Sequence, residues 1–157
     1  MALILQPLID GFTDMTVNFA TTPTEAAIKM STMYGQYALN AQTPLGGTAN
    51  AASVLAAAEA LKNALIPIFT DSKEAATTAS GMNAAFSTFW STIIFSPAII
   101  PPAVITGGSS LESKLNSMGP TMDAAASINL LAAGFDAFTK AVQVTCPGTP
   151  PIVGFLY

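Results

Sequence analysis

The chain has 157 residues, 51 % hydrophobic and 9 % charged, with a net charge of −4, whereas an average soluble protein is roughly 25 % charged. That length suits one domain with a single core, and so few charges leave the surface either to Ser, Thr, Asn and Gln or to cover by partners. All five basic residues are lysines (Lys29, Lys62, Lys73, Lys114 and Lys140), histidine is absent and Cys146 is the single cysteine. Direct nucleic-acid binding, an internal disulfide, a Ser-His-Asp or Cys-His centre and an ordinary zinc or non-haem iron site are therefore not expected, and no cofactor is assigned.

The opening "MALILQPLIDGFTD" has no basic n-region, and Gln6 and Pro7 interrupt its apolar run. It does not read as a secretory signal, and synthesis inside the cell is expected. Residues 1–21 leave helix and irregular structure both open. Asp10 and Asp14 share a face if the segment is helical and could then divide acid and base roles; Asp14 as the cap of a helix starting at "MTVNF" is the preferred reading.

In "TTPTEAAIKMSTMYGQYALNA", Thr22 is placed to cap a helix, Pro23 fits its first position and Glu25 completes a capping box. Ala27, Met30, Tyr34, Tyr37 and Ala41 form one apolar stripe. "LGGTAN" is a glycine turn without the spacing of a phosphate loop. A second helix follows in "NAASVLAAAEALKNALIPIF", burying Val54, Ala58, Leu61, Leu65 and Ile68, with Pro67 expected to kink or end it. The alanines on its other side suit close helix packing.

A third helix is expected from Asp71 as N-cap with Glu74 three residues later. Met82, Phe86, Phe89, Trp90, Ile93 and Ile94 mark its buried stripe, and the Ser/Thr pairs between them argue against a membrane span. In "SPAIIPPAVITGG" three prolines exclude helix and forbid a central strand. Residues 96–108 are thus expected to form an extended, polyproline-like arm without a hydrogen-bonded scaffold of its own, lying on the helices or on a neighbour.

A short helix in "SLESKLNSMG" precedes a long one in "PTMDAAASINLLAAGFDAFTKAVQV", whose inner stripe is Ala124, Ile128, Leu131, Phe135, Phe138 and Val142. Ser109 and Glu112 read as a helix start rather than as a serine–lysine site around Lys114. The acid–base pairs Glu25–Lys29, Glu59–Lys62 and Asp136–Lys140 read as solvated helix faces. The tail "PGTPPIVGFLY" gains about as much from burying its large side chains as its ordering costs, so it needs a groove, on a partner or on its own fold.

The expected architecture is all-α: about five helices in a single bundle-like domain, residues 1–146, with the apolar arm 96–108 and a proline-rich docking tail at 147–157. The helices at 86–94 and 124–142 are expected to form the centre. Contacts between subunits are assigned to Pro97, Ile99, Ile100, Pro101, Pro102, Val104 and Ile105 in the arm. In the tail they are assigned to Pro150, Pro151, Ile152, Val153, Phe155, Leu156 and Tyr157.

The aromatic helix running into prolines in "MNAAFSTFWSTIIFSP", the helix exit "DAFTKAVQVT" and the tail "PGTPPIVGFLY" together resemble small alanine-rich structural proteins of tailed bacteriophages, in particular contractile-tailed ones. The resemblance implies a non-enzymatic virion component at the neck, tail, baseplate or capsid, made in the host cytoplasm. Its partners would be copies of itself and other structural proteins, with no membrane span and no small-molecule substrate. An exported alanine-rich helical protein and a membrane-active helical protein are the other classes the composition allows.

Overall fold

The structure, a computed structural model, describes residues 3–71, 74–96, 100–105, 108–118, 123–148 and 150–157, and within 100–105 and 108–110 the backbone alone. Helices dominate: α1 (Gln6–Val17), α2 (Pro23–Ala38), α3 (Ala51–Thr70), α4 (Ala75–Ser91), α5 (Gly108–Asn116) and α6 (Ala124–Lys140). Two small antiparallel sheets join them. One pairs β1 (Thr48–Ala49) with β2 (Phe95–Ser96); the other has the order β3 (Ile100–Ile105), β4 (Val142–Cys146), β5 (Ile152–Phe155). The expected helical single domain is the one found, with six helices among the described residues.

Each helix packs on the next in sequence, and α6 returns to α1, so the six close a ring. Small residues set the spacing. A Cβ on Gly134 would sit 2.9 Å from Cβ of Lys114, closer than side chains pack, so glycine lets α5 approach α6. At the centre Tyr34 of α2 stacks edge-on against Phe86 (4.7 Å between ring centroids) and Phe89 (5.0 Å), and tilts against Phe135 (5.6 Å). The expected helices at 86–94 and 124–142 thus supply Phe86, Phe89 and Phe135 to the centre, and α2 shares it through Tyr34.

A polar chain threads this aromatic core. Trp90 Nε1 donates to the Tyr34 hydroxyl at 2.8 Å, Tyr34 lies 2.7 Å from Thr139 Oγ1, and Thr139 Oγ1 donates to the Phe135 carbonyl at 2.8 Å. Thr139 has one proton and spends it on that carbonyl, so Tyr34 is the donor to Thr139 and every member is satisfied. Beside it Tyr37 donates to Asp136 Oδ1 at 2.7 Å, while Lys140 binds Oδ2 at 2.8 Å. Asp136 is thus not merely part of a solvated face: it ties α6 to α2. Burial pushes both tyrosine hydroxyls well above their ordinary range, and for Tyr37 the neighbouring Asp136 adds to the push.

Several local expectations need correction. The Thr22 hydroxyl accepts from Glu25 N at 3.1 Å, as a capping box requires, but the Glu25 carboxylate reaches back to Thr21 instead of Thr22. Lys29 accordingly leaves Glu25 for Asp14 (3.7 Å) and the Asn18 carbonyl (2.5 Å). Asp71 ends α3 rather than starting α4, whose N-cap position is Glu74 without a side-chain cap. Pro67 does not stop α3, which runs three residues beyond it, because a proline near the last turn removes only one N–H from the ladder. Ile94 is exposed, since α4 ends at Ser91 and the helical period no longer applies there.

Candidate interaction surface

The three-stranded sheet is built where the two proline-rich segments meet β4. Val142, Val144 and Cys146 are fully buried and alternate with half-buried Gln143 and Thr145, the period-two pattern of a strand with one face on the core. β3 and β5 flank it, each antiparallel. β3 carries Pro101 and Pro102, which cannot donate to a ladder. It lies at the sheet's edge, and its register slips between the Ile100↔Thr145 and Val104↔Gln143 pairs, where the prolines fall. The arm therefore has a hydrogen-bonded scaffold within its own chain. Pro97 and Ile99 lie outside the described residues, as do the side chains of Ile100, Pro101, Pro102, Val104 and Ile105.

The tail supplies β5. Cys146↔Ile152, Val144↔Gly154 and the Leu156 N–H to Val142 carbonyl bond (3.2 Å) put Ile152, Gly154 and Leu156 on the core side. Val153 and Phe155 stand opposite Thr145 and Gln143 on the outer face. Leu156 is 2 % exposed, whereas Ile152, Val153 and Phe155 are 45, 54 and 49 % exposed: one side chain anchors the strand and three large apolar ones remain at the surface. Just beyond β5, Tyr157 and Gln42 exchange both backbone bonds, at 3.0 and 3.1 Å. Pro44 lies over Gly154 so closely that a Cβ there would collide with the proline ring. The groove the tail required is thus on its own fold, between β4 and the loop at Gln42–Pro44.

That loop is itself fixed. Thr43, fully buried, bonds Gly46 and Gly47 around a turn in which Gly46 takes φ 78°, a left-handed conformation suited to glycine. Sequence reasoning missed Gln42, Pro44 and Gly154 as a unit. The available signal was the lone glycine inside "IVGF", since glycine in a strand marks a close backbone approach.

Other candidates are dispersed. Asp10 and Asp14 do share α1, but Asp10 accepts from Gln6 (2.8 Å), and Asp14 accepts from Asn18 (2.6 Å) and faces Lys29. Asp14 lies inside α1 and caps nothing. Lys114 lies on α5 with its stem against Gly134, and Cys146 is buried. Among the described residues no cluster of His, Cys, Asp and Glu could hold a metal ion. Exposed apolar side chains recur elsewhere, at Val17, the last residue of α1, at Phe19 just beyond it, and at Leu39 and Leu55 beside the α2–α3 groove.

Comparison with protein-family models, with curated proteins and with solved structures finds no match to this chain.

Proposed function

We propose that this chain is a non-enzymatic structural subunit of a large protein assembly, and that the assembly is a tailed-phage virion in which it serves at the neck, tail, baseplate or capsid. The observation that carries the assembly reading is the outer face of β5, where Val153 and Phe155 stand half-exposed on a sheet whose neighbours Gln143 and Thr145 bear no charge. Half-exposed large apolar side chains of this kind gain from cover. The choice of a virion rests on the resemblance of the aromatic helix, the helix exit and the tail. Partners are then copies of the chain and other structural proteins.

Mass spectrometry of gradient-purified extracellular particles tests this reading. A fixed copy ratio to a major shell or tail protein supports it, and absence from the particles overturns it.

One observation favours the membrane-active alternative: α3 is long and apolar enough to cross a membrane, with a mean hydropathy of 1.4. Against it, α3 packs between α2 and α4 and carries the Glu59–Lys62 ion pair near its middle. Flotation with liposomes separates the two readings, since a virion subunit stays at the bottom of the gradient.

A further inference from the structure

We propose that β5 is an exchangeable strand, which leaves β4 of its own copy and takes the same place on β4 of a second copy. The proposal deepens the assembly reading and rests on it only for the particle in which the exchange is used.

The slot selects its occupant. It is bounded by β4 on one side and by Gln42 and Pro44 on the other, and it accepts a residue without Cβ under Pro44 and a leucine two positions later, as in Gly154 and Leu156. Whenever β5 is out, the buried row of Val142, Val144 and Cys146 loses its neighbour, and the segment certain to fit it is the β5 of another copy. Contacts inside the slot are the same whether the strand comes from the same chain or from a second one, which makes exchange a low-cost route to association.

Two further features favour release. β5 is held by its ladder, by Leu156, by Pro44 over Gly154 and by the two backbone bonds of Tyr157 to Gln42, while Ile152, Val153 and Phe155 contribute only half-exposed side chains. The link from β4 also turns back sharply: a Cβ on Gly148 would lie 3.0 Å from the Pro150 carbonyl oxygen. Pro147, Pro150 and Pro151 in that link prefer an extended path, and an exchanged strand lets the link extend.

The single native cysteine makes the test direct. Cys146 is the partner of Ile152 across the ladder, and residues directly opposite on antiparallel strands lie about 4.5–5.5 Å apart at Cα, within disulfide reach. Ile152→Cys in the full chain is oxidised with oxidised glutathione over a dilution series and run on non-reducing denaturing gels. A strand kept at home gives an internal disulfide in a monomer; an exchanged strand joins two chains at twice the 16.1 kDa chain mass.

The expected result is a covalent dimer that rises from minor to major species with concentration and is suppressed by excess peptide PPIVGFLY. An internal disulfide alone at every concentration overturns the proposal, as does a dimer that the peptide leaves unchanged. Sedimentation velocity of the wild-type chain gives the same decision without the substitution: a concentration-dependent oligomer dispersed by the peptide supports exchange, and a monomer throughout refutes it. Neither experiment involves particles, so a chain absent from virions can still exchange its strand, and a virion protein can fail to.

Discussion

Removing the Tyr34 hydroxyl isolates the polar chain through the core. Tyr34→Phe keeps the ring, and with it the contacts to Phe86, Phe89 and Phe135. It takes away the acceptor of the Trp90 indole N–H and the donor to Thr139. All three residues are fully buried, so no water replaces the lost oxygen. A buried donor left without a partner costs about 1–3 kcal/mol. In a domain of this size each kcal/mol lowers Tm by roughly 2–4 °C. Thr139→Val, which leaves the Tyr34 hydroxyl without its acceptor, is expected to cost a similar amount. The double variant should cost less than the sum, by about 0.5–3 kcal/mol, because the two changes sever the same bond. Urea unfolding followed by the fluorescence of Trp90, the only tryptophan, and by far-UV circular dichroism measures all three. If Tyr34→Phe lies within about 0.5 kcal/mol of wild type, or if the two single costs add in full, the hydroxyls do not form the relay described here.

Other consequences are equally direct. Gly154→Ala places a methyl group against Pro44 and should destabilise the chain by about 1–3 kcal/mol; Pro44→Ala in the same background should restore part of that loss in the same urea assay. Asn50 caps α3 through Oδ1, which accepts from Ala52 N (2.9 Å) and Ser53 N (3.2 Å), so Asn50→Ala should lower stability by about 1 kcal/mol, whereas Asn50→Asp should not. Tyr34 and Tyr37 both titrate above the ordinary tyrosine value of 10.0 in the folded chain. Their contribution is thus whole below about pH 10 and is lost as pH rises further, because the unfolded chain ionises first. Urea midpoints between pH 9 and pH 11 should fall by less in Tyr37→Phe than in wild type, and equal slopes would refute the assignment.

The helical part of the fold was legible because its signals are local. Thr22, Pro23 and Glu25 announce a start by chemistry contained in four residues, and the stripe of Met82, Phe86, Phe89 and Trp90 repeats at the helical period. What the sequence could not show was which charges would meet across elements. Lys29 has Glu25 one turn away, yet it turns to Asp14 on a different helix, since Glu25 is already committed to Thr21. Asp136 looked like one half of a surface pair with Lys140, and its bond to Tyr37 spans 99 positions.

The proline-rich segments present a different problem, because a stretch that cannot be helix reads as a stretch in search of a partner. Proline at 101, 102, 150 and 151 excludes helix and central strand, but it leaves edge positions open, and an edge needs a centre. That centre was written immediately after α6, where buried Val142, Val144 and Cys146 alternate with Gln143 and Thr145 over five residues. A lone strand of this pattern has two unsatisfied sides, each with backbone groups that must be paired when buried. One such strand followed by "IVGF" and preceded in the chain by "IPPAVI" has two candidate flanks within its own chain. The arms thus have a destination in their own subunit, and what β5 turns outward is the face at Val153 and Phe155.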